Sequence, residues 1–201
     1  MTARRRLSPD ERRKELLDTG ARLFAGKPYH DVLMEDVAEQ AGVSRALLYR
    51  YFPSKHALFA AIYQQASDRL LDRTPVDPAH SLLAQLSAGL DVHFDYFAAN
   101  RNTVLAANRV LAGDPVIQAI ITDELAELSR RVLDATGLQG PDRDTVRAAL
   151  SAWLVFVRAL CVDWLTNDTF SRKELHAMSL GALRGALDAV AGADRLLGTD
   201  D

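Results

Sequence analysis

The chain is 201 residues long and 48% hydrophobic, enough to bury a core in one or two domains. Its net charge of −3 argues against a generic nucleic-acid coat, and its single cysteine, Cys161, excludes an intrachain disulfide and fits a reducing cytoplasm. Residues 1–73 carry 13 Lys and Arg against 10 Asp and Glu, and residues 74–201 carry 11 against 17, so a mildly basic head precedes an acidic body.

In chain order, Arg4, Arg5 and Arg6 lead into charged helix rather than an apolar run, so no signal peptide is expected. Ser8-Pro9-Asp10-Glu11 opens the first helix, with Ser at the cap, Pro at the first position and Glu at the third. Leu16, Leu17, Ala21, Phe24 and Ala25 follow helical spacing until Gly26 and Pro28 stop it. A short helix through Val37, Ala38 and Ala41 meets Gly42, where a tight turn needs positive φ. Ser44 caps a second short helix, buried by Leu48 and Phe52 and leaving Arg45, Ala46, Tyr49 and Arg50 on its other side. Pro53-Ser54 begins a longer helix through Leu58, Phe59, Ile62, Ala66 and Leu70 to about Arg73. Thr74-Pro75-Val76-Asp77-Pro78 is the clearest break. Beyond it, residues 79–99, 101–111, 115–136, 142–166 and 172–191 read as five helices. The fold class expected is all-α, with a first helical domain at 8–73 and a second at 79–195. The most apolar stretch, 148–162, is broken by Arg158 and shorter than the roughly 20 residues of a membrane span, so no membrane partner is expected.

Two helices joined by a Gly-containing turn of three or four residues, at about 35–52, form a helix-turn-helix whose second helix enters the major groove of DNA. Val37-Ala38, Ala41-Gly42-Val43-Ser44, Leu48-Tyr49, Tyr51-Phe52, Ser54-Lys55 and Leu58, in one register, resemble the N-terminal domain of TetR-family transcriptional regulators. The match covers roughly 8–73, and the remainder resembles the family in length and helical texture. The resemblance implies a three-helix DNA-binding domain, a C-terminal domain for ligand binding and dimerisation, and a palindromic double-stranded operator. It also implies DNA contacts at Ser44, Arg45, Ala46, Tyr49, Tyr51 and Lys55.

Side-chain chemistry refines these expectations. The planar fork of Arg45 suits guanine O6 and N7, at roughly 1–3 kcal/mol of discrimination, and Arg50 suits the backbone. The Tyr49 and Tyr51 hydroxyls suit phosphate oxygens, with packing between helices as the alternative. Lys55 offers charge and a helix N-terminus to a phosphate. Arg4, Arg5 and Arg6, with Arg12, Arg13 and Lys14, form either a phosphate-seeking arm or a solubilising tail. Three positions depart from the family pattern. Leu33 stands where Thr or Ser usually caps the first motif helix, Ala46-Leu47 replaces a small polar pair, and Glu35 faces outward where it would repel phosphate unless it accepts from a cytosine amine.

In the body, His93, Phe94, Phe97, Asn108, Trp153, Phe156, Val157 and Cys161 combine aromatic walls with polar groups, as a small-molecule pocket needs. A plain helical core needs the same residues. Ala177, Gly181, Gly185 and Ala189 recur every four residues, a smooth stripe that with Trp164 forms a candidate dimer interface, intrachain packing being the alternative. The five histidines lack metal-ligand spacing and no phosphate loop or catalytic constellation is present, so no enzyme, metal or cofactor is expected. The reading is a homodimeric repressor released from its operator by a small, largely apolar effector. The alternative is a helical adaptor that binds a protein partner without DNA.

Overall fold

A computed structural model describes residues 7–73 and 82–188. The Arg4–Arg5–Arg6 arm, the 74–78 break, the opening of the second domain at 79–81, Ala189 and the remainder to 195 lie outside the described residues. The elements are α1 (Pro9–Gly26), a 3₁₀ turn (Tyr29–Asp31), α2 (Met34–Gln40), α3 (Arg45–Tyr51), α4 (Lys55–Asp72), α5 (Leu82–Ala99), α6 (Arg101–Leu105), a π-helical turn (Ala106–Val110), α7 (Pro115–Ala135), α8 (Gly140–Asn167) and α9 (Arg172–Leu187). The fold is all-α, with no strand among the described residues.

Helix starts follow local chemistry. Ser8 and Glu11 form a reciprocal capping box on α1, and Ser171 and Glu174 form another on α9. Asp114 accepts from the Val116 and Ile117 amides ahead of Pro115 on α7. Gly42 takes φ 61° in the helix-turn-helix turn, where a side chain would be strained. Gly20 has a different reason. A Cβ there would lie 2.8 Å from Ile62 Cδ1 and 3.3 Å from Leu58 Cδ2, so its bare backbone lets α1 and α4 close together.

Two buried clusters hold the chain. The first joins Leu16, Phe24, Val37, Leu48, Phe52, Leu58 and Phe59 of the head to Ala106, Ala107, Ile117, Ile120 and Ile121 of the body. The second packs Phe94 and Phe97 of α5 against Trp153, Val157 and Cys161 of α8 and Leu175, Leu183 and Leu187 of α9. Polar ties cross the seam between head and body: Asn102 Nδ2 donates to the Ala25 carbonyl at 2.9 Å, and Arg131 to the Leu71 carbonyl at 2.7 Å. His56 Nε2 stands 2.8 Å from Asp114 Oδ2.

Two expectations change here. The single helix expected over 101–111 is a five-residue α-turn followed by a five-residue π-turn, a wider coil that carries Asn108. The apolar stretch of α8 belongs to a 28-residue helix with a window of mean hydropathy 1.6, enough by length and composition to cross a membrane. Here its Val146, Leu150, Trp153, Val157, Cys161 and Leu165 are buried within the protein.

Candidate nucleic-acid interface and ligand cavity

The recognition helix α3 is seven residues long and packs through buried Leu48, with Phe52 closing its end. Ser44 Oγ accepts from the Leu47 amide at 3.2 Å, fixing the first turn. Arg45, Ala46, Tyr49 and Arg50 are exposed together on the opposite side. Arg45 is ion-paired with Glu35 of α2, both side chains largely in solvent. Such a pair contributes little to stability, but it places a carboxylate beside the Arg45 guanidinium. Arg50 lies 5.8 Å from the ring centroid of Tyr51, which is half-buried against the first core. Leu33 heads α2 without any side-chain cap and is 53% exposed.

In the body, a cavity of about 70 Å³ lies among α4, α5, α7 and α8. Leu70, Leu86, Leu90, Leu125, Leu128, Val132, Leu154 and Val157 supply its apolar wall, and Gln85, His93, Trp153 and Arg158 its polar groups. Arg158 is 6% exposed and held from three elements. Its Nε donates to Asn108 Oδ1 at 3.0 Å, one terminal nitrogen stands 3.5 Å from Glu124 Oε1, and the other donates to the Tyr63 hydroxyl. Its guanidinium also sits 5.7 Å from the Phe97 ring centroid. His93 leans on the same ring, centroids 4.0 Å apart. Burial, aided by the nearby Arg158 charge, pushes the His93 imidazole from its ordinary 6.5 down to about 3, so the ring is neutral near pH 7. Burial likewise raises the Tyr63 phenol, against the opposing pull of Arg158.

Residues 16–62 match the family described as bacterial regulatory proteins, tetR family. The transcriptional activator FasR of Mycolicibacterium smegmatis is 32% identical over 177 residues, covering 81% of this chain and 76% of FasR. The chain belongs to the TetR family. The regulator RutR of Escherichia coli is 31% identical over 132 residues, covering 63% of this chain and 61% of RutR. A tetR-family regulator from Streptomyces coelicolor superposes with a TM-score of 0.81 at 24% identity, over 96% of this chain and 87% of that one. This TetR-family protein is therefore a DNA-binding transcriptional regulator, not an enzyme.

Some expected positions move within the TetR-family frame. Lys55 does not hold its ammonium out toward DNA. Its Nζ donates to the carbonyls of Tyr29, His30 and Val32 at 3.0, 3.2 and 3.1 Å and sits 4.7 Å from the Tyr29 ring centroid. The three donors of an ammonium thus match three carbonyls of one turn, and the lysine clamps the chain entering α2 to the start of α4. Of the expected pocket residues, His93, Trp153 and Val157 line the cavity. Phe94 and Cys161 are sealed in the second core, where burial pushes the Cys161 thiol up to about 12 and leaves it inert. Phe97 is a buried platform for His93 and Arg158, and Asn108 holds Arg158 from behind. Phe156 is 42% exposed and belongs to the opposite face of α8.

Tyr63 and Glu124 were not expected at the site. Glu124 is a buried carboxylate on a helix of regular apolar spacing, which is a signal available from the pattern; Tyr63 carries no such mark.

On α9, Ala177, Gly181 and Gly185 form an exposed row, and a Cβ added at either glycine meets nothing within 4 Å. Leu175, Ser179, Leu183 and Leu187 make the buried face instead, with Trp153 Nε1 donating to the Ser179 carbonyl at 2.7 Å. Packing against α8 therefore does not explain the glycines. Trp164 is half-buried against the second core.

Proposed function

We propose that this chain acts as a homodimer that binds a palindromic operator as a repressor and leaves it when a small, largely apolar molecule enters the body cavity. The observation that carries the regulatory half is the hydrogen bond from Arg158 to Tyr63. Arg158 lines the cavity, and Tyr63 sits on α4, whose first turn adjoins the recognition helix. A molecule that alters the setting of Arg158 acts on the helix that carries the head, and it needs only to favour the DNA-incompetent state by a few kcal/mol.

The dimer reading draws support from exposed apolar residues on α8 and α9. Val155 and Phe156 of α8, and Met178 with the Ala177, Gly181 and Gly185 row of α9, stand in solvent, as surface suited to a second copy across a two-fold axis would. A dimer sets two recognition helices about 34–36 Å apart to enter successive major grooves. Arg45, Tyr49 and Arg50, with Ser44 and Ala46, are the residues assigned to the groove, and Tyr51 supports them from the core side. A FadR from Bacillus subtilis, similar in fold at a TM-score of 0.58, was solved in complex with stearoyl-CoA, a molecule with a long apolar acyl chain on a charged carrier.

Selection from random duplex DNA tests the reading, followed by titration of the winner with wild type, Arg45→Ala and Tyr49→Ala. The expected product is an inverted repeat with half-sites about one helical turn apart, its affinity lost in both variants while the dimer persists. Enrichment of a single half-site bound by a monomer would overturn it. Reporter transcription in cells lacking and carrying the gene decides its sign, with repression expected.

A further inference from the structure

The cavity has a charge balance that restricts what can enter it. Its wall is leucine and valine, and Arg158, the buried cation on that wall, already faces the carboxylate of Glu124 at 3.5 Å. Both side chains are more than nine-tenths buried, so the cluster is electrically closed before any ligand arrives. A ligand carboxylate would add an uncompensated negative charge beside Glu124, and a ligand ammonium an uncompensated positive one beside Arg158. In a poorly solvated site the loss of hydration of such an ion is not repaid.

Hydrogen bonding is not closed in the same way. A guanidinium has five N–H groups, and Asn108, Glu124 and Tyr63 take three of those on Arg158. The other two have no protein acceptor among the described residues. His93 borders the same cavity, and its contact is the face of Phe97 rather than a hydrogen bond. Trp153 is already partnered by the Ser179 carbonyl, and Gln85 is engaged as well. The unmet polar capacity is thus mainly donor capacity, on a neutral and otherwise apolar lining.

We propose that the cavity takes an uncharged, predominantly apolar molecule bearing a hydrogen-bond acceptor, such as an ester, ketone or lactone carbonyl, whose oxygen is received by Arg158 with His93 alongside. This rests on the effector-responsive reading above and adds to it the chemical class of the effector. A carbonyl oxygen uses the spare N–H groups without disturbing the charge balance, and the rest of such a molecule lies against Leu86, Leu90, Leu125, Leu128, Val132 and Leu154.

The test is equilibrium binding of a matched set to the full-length protein near neutral pH: methyl octanoate, octanoate, octylamine and octane, followed by calorimetry and by the tryptophan fluorescence of the Trp164→Phe variant, which leaves Trp153 on the cavity wall as the reporter. Methyl octanoate is expected to bind at least about tenfold more tightly than each of the other three. Tightest binding by octanoate or octylamine would overturn the proposal. So would equal binding of octane and the ester, or no binding by any of the four. His93→Leu is expected to weaken the ester several-fold and leave octane unchanged, and an equal loss for both would remove His93 from the reading. Adding each compound to the operator complex separates the two layers. Ester binding without any change in DNA affinity keeps the chemical class and defeats the effector-responsive reading. Release of DNA by octanoate, with the ester inert, does the reverse.

Discussion

The neutrality of His93 can be read directly as acid sensitivity. Its imidazole titrates near 6.5 when the chain is unfolded and at about 3 when folded, because burial and the Arg158 charge oppose the proton. The folded pKa is the lower one. As pH falls through 6.5 the unfolded chain takes up a proton that the folded chain refuses, and stability is lost until the folded ring itself titrates near 3. Between about pH 7 and pH 5 this one residue removes roughly 2 kcal/mol. With a urea slope of about 2 kcal/mol/M, the unfolding midpoint drops by about 1 M. His93→Leu has no proton to refuse, so its midpoint is expected to move less over the same interval by about that amount. Urea unfolding of both proteins at the two pH values, at one fixed protein concentration, measures the difference. Equal acid shifts in wild type and variant would mean that the ring is solvated when folded, and the account of its neutrality by burial would fall with it.

Three further expectations concern other groups. Arg158→Met strands the buried Glu124 carboxylate and is expected to cost about 3–5 kcal/mol, while Arg158→Met with Glu124→Leu recovers most of that loss; thermal unfolding of the two singles and the double checks the coupling, and additivity would refute it. Lys55→Met breaks three hydrogen bonds to carbonyls and is expected to lower stability by about 1–3 kcal/mol, against a few tenths for the exposed Lys173→Met. If Lys55→Met instead leaves stability unchanged and reduces the salt slope of DNA binding by about one phosphate, the lysine contacts DNA after all. Gly181→Arg places a bulky charge where the chain itself offers no obstacle, so sedimentation is expected to show a folded monomer; a persistent dimer would move the interface elsewhere.

The head was legible because its determinants are local. Ser8, Gly42, Ser44 and Ser54 act on amides or dihedral angles within three residues of themselves, and the exposed Arg45, Ala46, Tyr49 and Arg50 follow from burying Leu48. The clamp made by Lys55 was not legible because its acceptors lie 23 to 26 residues back, in a 3₁₀ turn that no periodicity announces. The cavity was less legible for the same reason. Arg158 reaches Asn108, Glu124 and Tyr63 across 50, 34 and 95 residues. Phe156 illustrates a subtler failure. Trp153, Val157 and Cys161 share a face at four-residue spacing, and a residue one step from Val157 is turned by about 100° around the helix axis. It falls in line with exposed Ala152, Val155 and Ala159 instead. Aromatic content alone drew it into the pocket, whereas the helical angle would have kept it out.

The first core runs without interruption from Leu16 and Leu58 to Ala106, Ala107, Ile117, Ile120 and Ile121. For protein engineers this sets where the chain can be cut. A reader excised after Arg73 would expose the apolar surface that the body now covers. A chimaera that borrows this head for another regulator's sensing domain inherits a mismatched seam unless the segment 102–121 travels with it. Grafts made at that boundary, rather than at the apparent linker, preserve both the docking surface and the Asn102 and Asp114 contacts that pin it.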